Sequence, residues 1–342
     1  MNFIENIASQ FPIGPIKAID EIKSGLMHST FHVISELGDY TLQRLHAKLS
    51  TPEIIGDFEA VTQYLASKHL IAPRLVRTKQ QTLVHVDEHG RWWRMATWIG
   101  GETRKRVQSS VEAHEGARAL GRFHRGVADF EHRFASQHPL HDTVAHLNGL
   151  KAAVETHQHQ PYFKQIERSV DEILNALPDL ILPDLLPRRV VHGDPKISNV
   201  LFRGDEAVGL IDLDTCNRHT VLVDLGDAVR SWCRDGSEDE QQHFRIDRFE
   251  AILAGYAEDG LTLSRHEIDY LGQAGRTITM ELASRFAKDV MVDEYFAYDT
   301  LRYESRRAHN VARTRAMIFL AHDMKRQEAD VRRLVAHYFP GT

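Results

Sequence analysis

His192-Gly193-Asp194-Pro195-Lys196-Ile197-Ser198-Asn199, followed after two short apolar runs by Ile211-Asp212-Leu213-Asp214, is the stretch that decides the reading. It has the form H-x-D-x(4)-N, then I-D-x-D. An aspartate on a tight loop can orient a hydroxyl and accept its proton. An asparagine five residues later can turn its carbonyl oxygen to a magnesium ion. An aspartate at the end of the following hairpin can bridge that metal to phosphates. The three oxygen donors then converge from loops on one small sheet. A lone His-Gly-Asp is usually only a turn, whereas here spacing and residue type agree over the whole stretch.

Outward from this centre the chain changes character. Between residues 16 and 98 it carries short strand-like runs at 30–35 (TFHVIS), 40–45 (YTLQRL), 81–86 and 92–98. Gly38-Asp39 between the first two reads as a hairpin turn. One helix interrupts them, with a Ser50-Thr51 cap, Pro52 in the first turn and an apolar stripe at Phe58, Val61 and Leu65. A short helix over 2–10 precedes the sheet and ends at the Pro12-Ile13-Gly14-Pro15 breakers. After Gly100-Gly101 long amphipathic segments take over, at 109–129, 161–177, 242–259, 264–290 and 305–338. Only 189–214 reads as β in this half, and the weak pattern at 130–161 reads as a loop or irregular insert. The expectation is an α+β chain with a β-rich lobe over 1–98 and a larger, mainly α-helical lobe over 99–342.

Composition narrows the function classes. A 42% hydrophobic and 26% charged chain of 342 residues is that of a soluble globular protein able to bury a sizeable core. MNFIENIASQFPIG lacks a basic stretch leading into an apolar run, and no apolar segment approaches the roughly 18 residues of a membrane span. Two cysteines, Cys216 and Cys233, make no disulfide framework, so a cytoplasmic setting is expected. A net charge of −6 argues against a nucleic-acid partner. The histidine pairs His28/His32, His138/His141 and His157/His159 lack the Cys or Glu of a ligand pattern, so they read as scattered surface and core residues.

These motifs resemble the aminoglycoside phosphotransferase and choline kinase family, which shares its fold with protein kinases. HGD stands where protein kinases have HRD, and I-D-x-D where they have DFG. The resemblance implies a two-lobed protein-kinase-like fold, ATP and Mg2+ as cofactors and a small-molecule acceptor. It also implies Asp194 as catalytic base, with Asn199 and Asp212 as magnesium ligands. The absent Arg of HRD and the absent A-P-E segment imply no control by activation-loop phosphorylation. Upstream, Gly25-Leu26-Met27-His28-Ser29-Thr30 occupies the place of the phosphate-covering loop. The strand at 40–45 stands where the family presents a lysine to the phosphates, and here reads Gln43-Arg44. Strand alternation sends those two side chains to opposite faces, so either can be the phosphate contact. Glu59 on the following helix is the candidate to brace that position. Thr97, Trp98 and Ile99, within MATWIGG at 95–101, stand where the hinge meets adenine.

A finer resemblance runs over nearly the whole chain. Leu42-Gln43-Arg44, DLDT at 212–215, DLGDAVR at 224–230, Glu281-x(3)-Arg285-Phe286-x(2)-Asp289-x(5)-Tyr295-Phe296, and His309-Asn310 with Arg313 follow the order of the N-acetylhexosamine 1-kinase branch. That resemblance implies an amino sugar, GlcNAc or GalNAc, phosphorylated at its anomeric hydroxyl. It places Asp194, Asp214, Arg285 and Tyr295 near the sugar. The chain departs from the branch in the phosphate loop, where Gly25-Leu26-Met27-His28 replaces G-H-I-N. Aminoglycoside, choline or ethanolamine, and homoserine are the alternative acceptors. A kinase-like fold that binds nucleotide without turnover is the alternative of another class. DLDT also echoes the D-x-D-x-T of haloacid-dehalogenase-type phosphatases, but the first 200 residues show no βαβ alternation and the glycine before Thr215 is missing. Oligomeric state stays open between monomer and homodimer.

Plainer roles stand beside these. Asp224 and Asp227 are expected to cap a helix beginning near Val229 and to tie down the catalytic loop. His124 reads as a satisfied buried histidine. Arg285 and Tyr295 can equally be helix-face and core-edge residues, and the basic segment at 302–333 an ordinary solvated face.

Overall fold

The computed structural model describes residues 3–22, 28–135 and 140–340. After a short helix α1 (Phe3–Ala8), strands β1 (Ile16–Ile22), β2 (Ser29–Ser35) and β3 (Gly38–Arg44) form an antiparallel meander. The β2–β3 turn is Glu36-Leu37, with Gly38 already paired to Ser35, two residues before the Gly38-Asp39 turn expected. Helix α2 (Pro52–Ser67) starts as its sequence predicts, with the Thr51 hydroxyl accepting from the Ile54 N–H. Strands β4 (Leu75–Val76), β5 (His85–Val86) and β6 (Trp92–Thr97) complete a sheet of order β1-β2-β3-β6-β4, with β5 also on β6. The run at 81–86 contributes only its last two residues. One face of this sheet packs Val33, Leu42, Trp93 and Met95 against Ile7, Ala8, Phe11 and Ile13 around α1. Because side chains alternate, Gln43 and Arg94, which pair across β3 and β6, project from the opposite face.

The chain then crosses into a helical region through β7 (Glu102–Thr103). There follow α3 (Ser110–Gly126), α4 (Thr143–His157), α5 (Glu167–Ala176), β8 (Arg189–Val191), β9 (Val200–Arg203), β10 (Glu206–Leu210) and β11 (Asn217–His219). Helices α6 (Val221–Trp232), α7 (Ile246–Asp259), α8 (Arg265–Val292), α9 (Arg306–Arg326) and α10 (Glu328–Tyr338) close the chain. Strand β7 joins the β9–β10 hairpin as its third strand, and β8 pairs with β11. Helix pairs α3–α7, α6–α8 and α8–α9 share the main core. At the α6–α8 crossing a Cβ on Gly226 would come within 2.6 Å of the Ala274 carbonyl, so glycine sets that separation.

Three expectations are corrected here. The segment at 130–161 is not all irregular, because α4 lies within it. Its inward stripe is only Leu147, Leu150 and Ala153, too thin to read, although the Asp142 cap on Ala145 was a usable signal. The segment at 305–338 is two helices broken at Gln327. The helix expected near Val229 begins at Val221, capped by Thr220, so Asp224 and Asp227 are helix residues and not caps.

Candidate active site

The loop after β8 is anchored from behind. Asp224, fully buried on α6, accepts from the N–H of His192 at 2.6 Å and of Gly193 at 2.8 Å. The same carboxylate meets His124 Nε2 at 2.8 Å, and His124 Nδ1 shares a hydrogen bond with the Tyr256 hydroxyl at 3.0 Å. The expected tie-down and the satisfied buried histidine are both present. Burial alone would push Asp224 up, but His124, His192 and the Gly193 N–H hold its carboxyl below the ordinary range. Gly193 sits at φ +86°, and a Cβ there would lie 2.5 Å from the Thr215 carbonyl oxygen, so no other residue fits. His192 Nε2 donates to the Ile211 carbonyl at 2.9 Å, joining this loop to the I-D-x-D segment.

On the front of the loop, Asp194 Oδ2 accepts from Lys196 Nζ at 2.5 Å. The Asn199 amide nitrogen donates to the Asp194 carbonyl at 2.8 Å, which leaves its own carbonyl oxygen as the atom to offer a cation. Burial pushes the Asp194 carboxyl up, and the neighbouring Asp227 and Asp212 add to this against the pull of Lys196. A raised carboxylate is the better proton acceptor. Asp227 itself is bonded to Arg230 at 2.7 Å, and Arg230 reaches Glu238 at 2.8 Å.

Asp212 adopts a left-handed backbone, φ +65° and ψ 52°, an arrangement that costs roughly 1–3 kcal/mol in a non-glycine residue and tends to persist where function needs it. Its carboxylate takes no protein hydrogen bond among the described residues. One ligand atom from each of His28, Asp212 and Asp214 lies within 4.8 Å of the others. Magnesium prefers oxygen ligands and keeps several waters, so the Asp212 carboxylate and the Asn199 carbonyl suit it, while the His28 imidazole does not.

The phosphate-side expectations fare unevenly. Gln43 projects from the face that meets the aspartates. Arg44 projects from the other face and donates to the Ser29 hydroxyl at 2.7 Å. Gln43 itself bonds Thr30 Oγ1 at 3.4 Å and accepts from Arg94 Nε at 2.9 Å. Arg94, which the sequence reading did not single out, grips Asp214 with both terminal nitrogens at 2.5 and 2.6 Å, both side chains being 2% exposed. Its guanidinium lies 4.1 Å over the Phe58 ring of α2. A charged residue in mid-strand between Trp93 and Met95 was the signal for it. Asp214 is held well below the usual carboxylate range, because Arg94 and His28 outweigh its burial.

Glu59 is a correction: it does not brace Gln43 or Arg44, but bonds Arg77 at 2.7 Å and Gln63 at 3.1 Å. Phe58, one helical step earlier, is the α2 residue that faces the site. Gly25 lies outside the described residues. His28 Nδ1 accepts from the His46 N–H at 3.1 Å. At the expected hinge, Thr97 Oγ1 accepts from the Arg74 N–H at 3.0 Å and the Trp98 N–H donates to the Asp39 carbonyl at 3.0 Å, while Ile99 is half-buried. The Trp98 ring stacks on His32 with centroids 4.0 Å apart.

Arg285 and Tyr295 do come together. The Arg285 guanidinium lies 5.9 Å from the Tyr295 ring centre and 5.6 Å from that of Phe296. Asp289 shapes this turn, accepting from the N–H groups of Glu294, Tyr295 and Phe296 and from the Asn310 amide at 2.8–2.9 Å. Nearby, buried Glu281 meets His141 Nδ1 at 2.7 Å and the Thr143 hydroxyl at 2.6 Å.

Known proteins resemble this chain in sequence and in fold. A homoserine kinase of Zymomonas mobilis subsp. mobilis is 25% identical over 249 residues, covering 71% of this chain and 72% of its own length. A homoserine kinase of Methylocella silvestris is 27% identical over 293 residues, 83% of each chain. Among solved structures, a microcompartment-associated aminopropanol kinase superposes with a TM-score of 0.66 at 12% identity, covering 96% of this chain and 98% of its own. Amicoumacin kinase in complex with AMP-PNP, Ca2+ and Ami gives 0.61 at 14% identity, over 99% and 95%. These likenesses establish the two-lobed, protein-kinase-like fold. No described helix is long and apolar enough to cross a membrane. The family described as "Phosphotransferase enzyme family" matches residues 18–260, well over half the chain, and the chain belongs to that family.

Proposed function

We propose that this phosphotransferase is a small-molecule kinase that uses ATP and magnesium to phosphorylate a hydroxyl, with nucleotide held between a lobe of residues 1–98 and one of 99–342. The observation that carries this is the convergence of Asp194, Asn199 and Asp212, with Asn199 donating to the Asp194 carbonyl at 2.8 Å and His192 linking their loop to Ile211. Asp194 orients the acceptor hydroxyl and takes its proton as the oxygen attacks phosphorus. Asn199 and Asp212 would hold the metal, which supplies charge neutralisation on the phosphates. Lys196 keeps a positive charge beside Asp194, and positioning with fixed charge supplies most of the rate.

For the acceptor we infer the anomeric hydroxyl of an N-acetylhexosamine, giving a sugar 1-phosphate. The late motif supports this reading, since Arg285, Tyr295 and Phe296 form one polar-aromatic cluster on a turn fixed by Asp289. Homoserine is the second reading, favoured by curated relatives at 25–27% identity. The test is ADP release with Mg-ATP against GlcNAc, GalNAc, glucosamine, choline, homoserine and kanamycin, with Asp194→Asn as control. Hexosamine-dependent turnover that vanishes in the variant supports both levels of the reading. Turnover of homoserine keeps Asp194 and removes the sugar. ATP binding without any turnover favours a binding protein.

A further inference from the structure

The I-D-x-D segment offers two carboxylates two residues apart, and a metal placed between them has a choice. Asp212, Asp214 and His28 are close enough to share one cation. Among the described residues His28 Nε2 is buried without a hydrogen-bond partner, and it lies 3.6 Å from Asp214 Oδ2. Two carboxylates and an imidazole at that spacing are a donor set for a divalent cation that does not depend on nucleotide. One residue from the other lobe stands in the way. Arg94 occupies both oxygens of Asp214 in a bidentate fork, the geometry in which guanidinium matches carboxylate best. Its own position is over-determined, since Gln43 accepts from Nε and Phe58 lies under the guanidinium plane.

We propose that Arg94 is a positioning residue that withdraws Asp214 from cation binding and so makes Asp212 the aspartate that serves the metal. This inference rests on the reading of Asp212 as a metal ligand. Three consequences follow from the geometry. The metal site is incomplete on the protein alone, because its oxygen donors are Asp212 and Asn199, and it is completed by phosphate oxygens, so metal and nucleotide arrive together. Asp214 is neutralised where an uncompensated carboxylate would repel the incoming phosphates. The N-terminal sheet is also tied to the Asp212 loop by a contact independent of Gln43 and Arg44 reaching nucleotide.

The experiment measures Mn2+ binding to nucleotide-free protein by the electron paramagnetic resonance of free Mn2+. Samples are the wild type, Arg94→Met, the Arg94→Met/Asp214→Asn double variant and Arg94→Lys. Arg94→Met is expected to bind Mn2+ about tenfold tighter than the wild type or more, since a second carboxylate joins the site. The double variant, which leaves no buried carboxylate unpaired and so guards against simple unfolding, is expected to return to wild-type affinity. Arg94→Lys, with one point charge in place of a fork, is expected to fall between. A steady-state split accompanies this, with kcat of Arg94→Met lowered and inhibition at high free Mn2+ appearing. The proposal is overturned if Arg94→Met binds Mn2+ no tighter than wild type while folded, or if the double variant keeps the gain. A separate arm, Mn2+ binding by Asp212→Asn with AMP-PNP present, tests the underlying reading: unchanged affinity there removes Asp212 as a ligand whatever the Arg94 variants do.

Discussion

The loop at 192–199 and the face of the N-terminal sheet that carries Gln43 and Arg94 are built by opposite means. In the loop, Asp194, Lys196 and Asn199 lie within six residues, and their mutual bonds follow from a single tight turn. In the sheet, the contacts are assembled across strands, with Gln43 and Arg94 distant in sequence and brought by register to within a 2.9 Å hydrogen bond. Short-range chemistry writes itself into spacing, whereas cross-strand chemistry is written into pairing, which no spacing displays. The two regions also differ in support. The loop is fixed from behind by buried Asp224 and His124, and the sheet residues are fixed from across the cleft by Asp214.

The largest effect that sharpens this contrast should come from the loop. Asp194→Asn is expected to lower kcat by about 10³-fold, within the usual range for a general base, while equilibrium binding of AMP-PNP stays near wild type. A comparable loss of nucleotide affinity would mean that Asp194 serves the phosphates instead. Asp224→Ala should cost about 3–5 kcal/mol in urea unfolding, because it strands two loop N–H groups and a buried histidine. A loss below about 1 kcal/mol would show that the loop holds itself.

Next in size is a pH effect away from both regions. Burial would raise Glu281, but His141, His146 and Thr143 hold it at about 2. Its contribution is therefore present above the unfolded carboxylate range and is lost as pH falls towards 2. His141 is raised by Glu281 against its burial, so its contribution is present below the ordinary histidine range and is lost as pH rises through the raised value. Glu281→Gln should flatten both limbs of stability against pH, measured as urea midpoints from pH 3 to 9. Parallel curves for variant and wild type would remove the pair from the account.

Within the sheet, Gln43→Ala should raise KM for ATP several-fold and Arg44→Ala less than twofold, since only Gln43 shares a face with Arg94. The reverse order would mean that the strand turns over when nucleotide binds. The smallest effect is expected at Glu59→Ala, with kcat/KM for ATP within about twofold of wild type, because its partners are the exposed Arg77 and Gln63. A tenfold loss would restore Glu59 to the phosphate site.

How much the sequence could say follows the same line. The α2 cap at Thr51 and the bond between Asn199 and Asp194 were legible because each depends on residues a turn or a loop apart, and the kinase-like architecture was legible through the motifs that resemble a known family. The position of Glu59 was not, because a bracing role depends on helix rotation, and one step of rotation puts Phe58 inward instead. Arg94 escaped notice because an arginine in a strand declares nothing until its cross-strand neighbour is known. Helix α4 was hidden by having only three inward apolar residues. Asp214 kept its place near the centre but not its freedom, since pairing with Arg94 is a property of two lobes meeting.

The turn at 294–296 carries a consequence of its own. Asp289 and Asn310 hold it between α8 and α9, while the loop at 192–194 is held by His124, Asp224 and Tyr256 between α3, α6 and α7. The two sets of anchors have no residue in common. Residues of the first set can therefore change without loosening the second, so the turn and the loop can vary separately.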